Sequence, residues 1–292
     1  MNFLERASDG QNQLWKYPVV CFGGFLGGQL LGSIPLVILS SMAFGISKNL
    51  FLFLVMFSFV VSLLITIYLI KILHRRTFSE TVNGTRKIRT GRLISGALTW
   101  TIIITVYLII DYNLNPENYV LQFNWGNFFI LTVLALCLIP IQTTSEELLF
   151  RGYLAQGIAA WTKNRYLSIL IPGLLFGLMH IANPEVAEFG FWLSMPQYIF
   201  FGLLFGLISV LDDGIELAMG MHAANNIFTL IFTTHAASAL QTDAMFEVQT
   251  INPAKELVAL LIAGLIVLTY FAFRYKWNFN IFLRPILRRM PD

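Results

Sequence analysis

Long apolar runs follow one another along almost the whole chain, separated by short polar connections. A helix needs about 20 mainly apolar residues to cross the hydrocarbon core of a bilayer, which is about 30 Å thick. Runs near that length recur eight times, so the pattern predicts a polytopic bundle of eight transmembrane helices. Their approximate limits are 17–41, 49–73, 93–111, 127–162 (broken near Pro140), 166–183, 196–211, 214–234 and 256–274.

The composition agrees with a protein that lies almost wholly in a membrane. Of its 292 residues, 57% are hydrophobic and only 12% are charged, and the mean hydropathy of +0.70 is far above that of water-soluble domains. No connection is long enough to hold a separate domain, and none shows the alternation of a soluble sheet. We therefore predict one all-α membrane-embedded domain over 1–292, with its chemical motifs within about 127–234.

The first apolar run is expected to remain in the protein as a membrane span. It is longer and richer in glycine than the core of a signal peptide, and no small-residue cleavage site follows it. Cys21 and Cys137 fall within predicted spans, which indicates packing rather than a disulfide framework. Glycines at four-residue spacing predict close helix packing; they are Gly24, Gly28 and Gly32, Gly173 and Gly177, and Gly202 and Gly206.

The basic residues are distributed unevenly between the two sides of the predicted bundle. With the N-terminus inside, the inner segments hold 16 of the 19 lysines and arginines. Basic connections stay on the cytoplasmic side, so both termini are predicted to be cytoplasmic. The run 86–92, beside a span, is typical of an orientation signal touching anionic lipid, and no nucleic-acid partner is predicted. The inner set is Arg6, Lys16, Lys71, Arg75, Arg76, Arg86, Lys87, Arg89, Arg92, Lys163, Arg165, Arg274, Lys276, Arg284, Arg288 and Arg289.

The most unusual polar feature is the pair Glu146 and Glu147 within an apolar run. A charged side chain at the centre of a membrane helix costs about 2.5 to 3.5 kcal/mol, so the pair needs partners, water or a function. A structural interpretation is that Ser145 or Thr144 caps a new helix there. A functional one is that Glu147 pairs with Arg151 on the same helix face, whereas Glu146 points about 100° away and stays free.

Two further clusters supply candidate partners for Glu146. Glu146 lies 18 residues before Asn164, in the turn between two spans, and His180 lies 16 residues after it. At 1.5 Å per residue, both side chains reach about the same depth of an antiparallel hairpin. His222 and Asn226 lie one turn apart in the seventh span and face the same way. The structural alternative for both clusters is ordinary hydrogen bonding between membrane helices.

The remaining polar residues of these segments receive no functional prediction. Asn225 points to another helix face than Asn226 and is the weaker candidate. His74 and His235 are expected in solvated surroundings. Asp212 and Asp213, which precede Gly214, are explained as a turn between two spans, because Asp and Gly favour turns. Glu216 follows in the first turn of the next helix, where an acidic side chain is favoured.

Three short motifs occur in order on successive predicted spans. They are Glu146-Glu147-x-x-x-Arg151, Phe176-x-x-x-His180 and His222-x-x-x-Asn226, with Phe150-Arg151-Gly152 overlapping the first. Together they resemble the motifs of the CAAX protease and bacteriocin-processing family of intramembrane endopeptidases, over roughly residues 140–230. The resemblance implies an active centre of Glu146, His180, His222 and Asn226, with Glu147 and Arg151 beside it. Asn226 stands where the family also uses acidic side chains.

The resemblance implies hydrolysis of a peptide bond near the membrane, as in removal of a prenylated C-terminal tripeptide or maturation of bacterial peptides. Such a reaction needs an activated water, an oxyanion stabiliser and a proton for the leaving amine. We expect Glu146 to activate the water, His180 to hold it, and His222 with Asn226 to stabilise the oxyanion. The expected partners are a peptide or protein substrate and the lipid of a cell membrane, taken as a bacterial plasma membrane because no organelle-targeting segment is visible.

Other chemistries and functions stay open at the level of sequence. The family has been described both as metal-dependent and as glutamate-type, and two histidines with a carboxylate are an adequate zinc shell; the favoured mechanism needs no cofactor. The alternative function is a noncatalytic membrane partner, such as a bacteriocin-immunity or regulatory protein. A small-solute transporter is a further alternative, although it is expected to show paired broken helices or an internal repeat.

Overall fold

The computed structural model describes residues 3–42, 45–85 and 87–286, and this part of the chain is mostly helical. Three basic residues of the predicted inner set, Arg86, Arg288 and Arg289, lie outside the described residues. The ten α-helical segments of the described part are α1 Lys16–Ser41, α2 Lys48–His74, α3 Phe78–Val82, α4 Thr90–Leu114, α5 Trp125–Thr162, α6 Arg165–Leu178, α7 Pro184–Phe189, α8 Phe191–Leu211, α9 Glu216–Phe232 and α10 Pro253–Tyr275. Both α1 and α5 contain a π-helical stretch, at Val19–Leu26 and Leu148–Leu154.

Six of the described helices are long and apolar enough to cross a membrane: α1, α2, α4, α5, α8 and α10. Two predicted spans fall short of that length, because α6 has 14 residues and α9 has 17. At 1.5 Å per residue, α6 extends only about 21 Å, less than the hydrocarbon core. The chain is therefore a multi-pass membrane protein with six candidate spans, and the count of eight stays a prediction.

The outward faces of the long helices are apolar. Leu30, Leu64, Ile102, Phe129 and Leu265 are all at least half exposed, and such extensive exposed apolar surface is unfavourable in water but not in lipid. Each cysteine carries a free thiol. Cys21 is partly buried, but Cys137 is exposed, so the packing role predicted for Cys137 is wrong.

The predicted break near Pro140 is also wrong. The residue lies inside α5, which continues as an α-helix to Glu147. Proline removes one backbone donor, but membrane helices tolerate it because neighbouring groups and small local adjustments satisfy the freed carbonyl. The structural interpretation in which Ser145 or Thr144 caps a new helix is also wrong, because α5 passes through both residues without interruption. The irregularity falls instead directly after the acidic pair, in the π-helical stretch.

A small three-stranded sheet, which the sequence pattern did not predict, joins the connections at one end of the bundle. Its strands are β1 Tyr119–Leu121, β2 Thr233–Thr234 and β3 Phe246–Val248, in the order β1-β3-β2. Strands β1 and β3 are antiparallel, with Tyr119 opposite Val248, and β2 pairs with β3 in parallel. Strands of two or three residues are too short to show the alternation by which a sheet is recognised.

The connections gather into two groups, and the contacts within each group tie distant parts of the chain together. The basic end comprises 3–15, 75–85, 87–89, 163–164, 212–215 and 276–286. There, the amide of Ile215 donates to Val82 at 2.9 Å, and Trp277 donates to Asp212 at 3.0 Å. The acidic end comprises 115–124, 179–190 and 233–252. There, Asn118 donates to Thr250 at 2.9 Å.

Buried acids at the basic end fix the start of α9. Asp213 has a left-handed φ of +57°, as a turn requires, so the predicted turn is present. Glu216 lies in the first turn of α9, as predicted; it is fully buried, and its carboxylate lies 2.6 Å from Arg89. Burial raises the pKa of Asp212, while the hydrogen bond from Trp277 and the charges of Arg89 and Arg92 oppose the rise. These contacts anchor the helix that carries His222.

The predicted glycine contacts between helices are confirmed. A Cβ on Gly28 would lie 2.5 Å from the Cα of Ser62, so α1 and α2 meet at backbone distance. In the same way, Gly173 of α6 lies directly against Gly202 of α8, and a Cβ on Gly202 would overlap the carbonyl oxygen of Gly173. Small residues permit this approach because no side chain separates the backbones. Helix α8 lines the cavity of the site described below, and α6 carries Phe176, whose ring packs against Arg151 there.

Gly202→Ala is expected to destabilise the protein by about 1 to 3 kcal/mol, the usual cost of overpacking a tight contact. The obstacle is backbone, which cannot rotate away as a side chain can. Thermal unfolding of the purified protein in detergent measures the effect. Gly91→Ala is the matched control, because a Cβ there meets nothing within 4 Å; equal stability of the two variants would contradict the predicted close contact.

Candidate active site

Helix α5 carries two adjacent acids that the structure places in different surroundings. Glu147 is fully buried, and its Oε1 lies 2.9 Å from Nη1 of Arg151, which is 1% exposed. The predicted ion pair is therefore present. Glu146 is 8% exposed, lines a cavity and accepts no hydrogen bond from the residues that the structure describes. One acid is thus held in the protein interior, and the other faces open space.

The guanidinium of Arg151 is enclosed by aromatic rings and backbone. It lies 4.0 Å from the centre of the Phe176 ring and 5.5 Å from that of Phe205, at distances where a cation is attracted to an aromatic face. Its Nη2 also donates to the carbonyl oxygens of Phe201 and Gly202, at 3.3 and 3.4 Å. A buried ion pair is tolerated only when such additional partners replace lost water. The pair therefore ties α5 to α6 and α8.

His222 of α9 bridges the two acids. Its Nδ1 lies 2.8 Å from Oε1 of Glu147, and its Nε2 lies 3.6 Å from Oε2 of Glu146. An ionised carboxylate can only accept, so Nδ1 carries the hydrogen and donates it to Glu147. This bond fixes the ring and directs Nε2 towards Glu146. A histidine oriented by one carboxylate beside a second, free carboxylate is suited to proton transfer.

His180 lies on the wall of the same cavity as Glu146, as the depth argument predicted. Its Nδ1 is 2.9 Å from the carbonyl oxygen of Phe176, so Nδ1 is again the donor and Nε2 is left available. The ring stacks on Tyr198, with centroids 4.4 Å apart and planes inclined by 16°. Asn183 donates to the hydroxyl of Tyr198 at 3.1 Å. His180 is therefore held in one orientation although it has no direct bond to the other candidates.

Asn226 also lines the cavity, within a short network of amides. Its Nδ2 donates to Gln142 at 3.1 Å, and its Oδ1 accepts from Asn225 at 3.2 Å. Asn225 in turn accepts from the indole of Trp100 at 3.1 Å. The prediction that Asn225 points elsewhere is wrong, because its side chain folds back onto its neighbour and lines the same cavity. One N–H of Asn226 remains for another acceptor.

The cavity has a volume of about 1620 Å³ and is lined by polar residues at the site and by apolar residues along its walls. Its apolar walls come from α4 and α10, through side chains such as Ile102, Val106 and Ile262. Its size exceeds that of a typical small-molecule pocket, which is about 300 to 1,000 Å³. The space is sufficient for a peptide segment and its water.

Sequence reasoning missed two residues of this cavity and misjudged two histidines. Gln142 lies one turn before Glu146 on α5, and a polar residue in an apolar run could have identified it as a candidate. No sequence feature indicated that Tyr198 stacks on His180. His74 is fully buried rather than solvated, and hydrogen-bonds to Tyr153 at 2.7 Å. His235 is half-buried, and burial lowers its pKa, against the charge of Glu185.

The residues present do not fit a zinc shell in this arrangement. Among the described residues, no group of three or more His, Cys, Asp or Glu side chains converges so as to hold a metal ion. We therefore derive no step of the chemistry through a metal.

Comparisons with known proteins agree with the geometry. The family model described as type II CAAX prenyl endopeptidase Rce1-like matches residues 124–228, a range that includes every candidate site residue. The uncharacterized protein YyaK of Bacillus subtilis (strain 168) is 30% identical over 275 residues, which cover 88% of this chain and 90% of that protein. No solved structure matches the chain.

A polytopic helical membrane protein with buried acids and histidines brought together from separate helices defines a class of membrane-embedded enzyme. The chain belongs to the Rce1-like family of type II CAAX prenyl endopeptidases. Membership implies a CAAX-type intramembrane protease, in agreement with the resemblance seen in the motifs.

Proposed function

We propose that the protein is an intramembrane endopeptidase that hydrolyses a peptide bond of a membrane-associated substrate with a water activated by Glu146. The observation that carries the proposal is the separation of the two acids. Glu147 is held by Arg151 and His222, whereas Glu146 accepts no hydrogen bond from the described residues and lines the cavity. A general base must be free to accept a proton from water, and only Glu146 is.

In the proposed reaction, Glu146 takes a proton from a water in the cavity, and the resulting hydroxide attacks the carbonyl carbon of the peptide bond. His180 positions that water, because its Nε2 is left available as an acceptor. The C–N bond of the tetrahedral intermediate then breaks, and Glu146 returns the proton to the leaving amine. Glu146 therefore acts first as the general base and then as the general acid.

The oxyanion is stabilised by His222 and Asn226. Since Nδ1 of His222 already donates to Glu147, Nε2 donates only when the ring is doubly protonated. The free N–H of Asn226 adds a neutral donor.

The substrate is proposed to be a membrane-anchored peptide, prenylated or resembling a bacteriocin or signal peptide, in a bacterial plasma membrane. The apolar walls of the cavity, which α4 and α10 supply, suit a substrate that is partly embedded in lipid. A bacterial membrane is proposed because one relative of the chain is a protein of Bacillus subtilis. A peptide and lipid, and no nucleic acid, are the proposed partners.

The proposal is tested by incubating the purified protein in lipid vesicles with a panel of prenylated and unprenylated peptides. Mass spectrometry identifies any fragments. We expect cleavage of at least one lipid-anchored peptide by the unchanged protein and none by His222→Ala, which removes the group that bridges both acids. Equal cleavage by the two proteins would contradict the proposed site.

Chelation is expected to leave hydrolysis unchanged, because Glu146 rather than a metal ion is proposed to activate the water. The measurement compares the rate before and after extended dialysis against a strong chelator, with metal analysis of the same sample. A zinc protease treated in parallel shows that the chelation is effective. Loss of activity that returns on addition of zinc would contradict the glutamate mechanism.

A further inference from the structure

A continuous chain of side-chain hydrogen bonds, called the amide chain below, leads from a buried tryptophan to the site. It begins at the indole of Trp100, whose Nε1 donates to Oδ1 of Asn225 at 3.1 Å. Nδ2 of Asn225 donates to Oδ1 of Asn226 at 3.2 Å, and Nδ2 of Asn226 donates to Oε1 of Gln142 at 3.1 Å. All four residues line the cavity. Helices α4, α9 and α5 therefore contribute to one chain.

The first member fixes the direction of every bond that follows. An indole nitrogen can only donate, whereas the oxygen and nitrogen of an amide exchange places when the group rotates by half a turn. Because Trp100 requires an oxygen, Asn225 turns its nitrogen towards Asn226. Asn226 in turn directs its own nitrogen at Gln142. Rotation of any one amide would set two donors or two acceptors against each other and leave polar atoms without partners.

Trp100 is held firmly, so it sets this direction without following its neighbour. Its side chain is 1% exposed, and its ring meets that of Phe201 edge-on, with centroids 5.9 Å apart. The helices that carry Trp100 and Asn225 also meet at backbone distance, because a Cβ on Gly220 of α9 would overlap the carbonyl oxygen of Leu93 of α4. The indole therefore keeps its place if the amide of Asn225 turns.

The direction of the amide chain decides which atoms are presented at the site. With the observed direction, Asn226 keeps one N–H, and the Nε2 of Gln142 keeps two, without an acceptor among the described residues. With the opposite direction, Gln142 would present its carbonyl oxygen instead, and the free N–H of Asn226 would move to the other side of its amide. Donors stabilise an oxyanion, whereas a carbonyl oxygen repels it.

We propose that Trp100 is a positioning residue for the hydrolysis, and that it acts through the amide chain to hold the N–H groups of Asn226 and Gln142 ready for the oxyanion. This inference rests on the proposed function. Gln142 lies one helical turn before Glu146 and lines the same cavity, so both side chains belong to one face of α5. Trp100 influences the reaction only through Asn225.

Trp100→Phe removes the N–H donor and keeps an aromatic ring against Phe201. We expect the turnover rate to fall about fivefold, the factor that corresponds to about 1 kcal/mol, the usual net contribution of one neutral hydrogen bond. The apparent KM is expected to stay nearly unchanged, because the oxyanion forms only in the transition state. Cleavage of a lipid-anchored peptide in vesicles measures both. Trp161→Phe is the matched control with full turnover expected, since Trp161 is exposed and does not line the cavity.

A double-mutant cycle separates the amide chain from packing. Asn225→Leu interrupts the chain after Trp100 at nearly constant side-chain size, and it is expected to lower turnover by about fivefold or more. Because both residues act through one chain, adding Trp100→Phe to Asn225→Leu is expected to lower turnover little further. A loss equal to the product of the two single effects, or full turnover by Trp100→Phe, would overturn the proposal.

The first hydrogen bond is tested without hydrolysis, by nuclear magnetic resonance of protein that contains isotope-labelled tryptophan. The chain has six tryptophans, and the indole signal that is absent from Trp100→Phe belongs to Trp100. Its N–H is expected to exchange with deuterated water more slowly in the unchanged protein than in Asn225→Leu. Equal exchange in these two proteins would overturn the proposal even if a peptide is cleaved. Slow exchange without any Glu146-dependent cleavage would instead refute the proposed function, and this inference with it.

Discussion

Glu146→Gln is expected to lower peptide hydrolysis by at least about a hundredfold, the usual contribution of a general acid or base. Glutamine keeps the size of the side chain but cannot accept a proton from water. The loss is expected in the turnover rate, because the cavity that binds the peptide is unchanged. Cleavage of a lipid-anchored peptide by purified protein in vesicles measures both turnover and apparent affinity.

A matched control separates this effect from a general effect of lost charge. Glu188→Gln makes the same change at an exposed position outside the cavity, and it is expected to keep full activity. Thermal unfolding shows whether Glu146→Gln is folded. We expect it to be at least as stable as the unchanged protein, because it removes a carboxylate that accepts no hydrogen bond from the described residues. Activity of folded Glu146→Gln within a few-fold of normal would exclude Glu146 as the base.

Arg151→Met is expected to destabilise the protein by about 3 to 5 kcal/mol, which is the typical cost of removing one partner of a buried ion pair. Methionine fills much of the space between the Phe176 and Phe205 rings but leaves the charge of Glu147 without its cation. Only His222 then remains as a partner at 2.8 Å. The yield of folded protein in detergent and its unfolding temperature measure the loss.

The double variant Glu147→Gln with Arg151→Met tests whether lost pairing is the cause. Removing both charges eliminates the uncompensated carboxylate, so the double variant is expected to be more stable than Arg151→Met alone. It is nevertheless expected to have low activity, because a neutral amide holds His222 less firmly than a carboxylate does. A double variant less stable than the single one would show that Arg151 acts mainly through packing.

The contacts that the sequence predicted are those set by helix geometry. Glu147 and Arg151 are four residues apart, so their pairing follows from the helical repeat alone. The common depth of Glu146 and His180 follows from the length of the hairpin between them. The glycine contacts of α1, α6 and α8 follow from a four-residue spacing that leaves a smooth helix face.

The features that the sequence did not predict depend on contacts between distant segments. Asn225 reaches the cavity because its amide meets Asn226 and the indole of Trp100, which helix periodicity cannot show. His74 is buried because the N-terminal segment covers it, and Gln11 contacts its ring at 2.6 Å. Pro140 does not end α5, since tertiary packing overrides a local helix-breaking preference.

The central claim is that Glu146, which lines the cavity together with His180 and lies beside His222, activates the water that hydrolyses a peptide bond. Its most direct test is a comparison of the peptides released from membranes that contain the unchanged protein with those released from membranes that contain equal amounts of Glu146→Gln, using mass spectrometry. The account predicts at least one peptide that appears only with the unchanged protein. Identical sets of released peptides from the two membranes would contradict it.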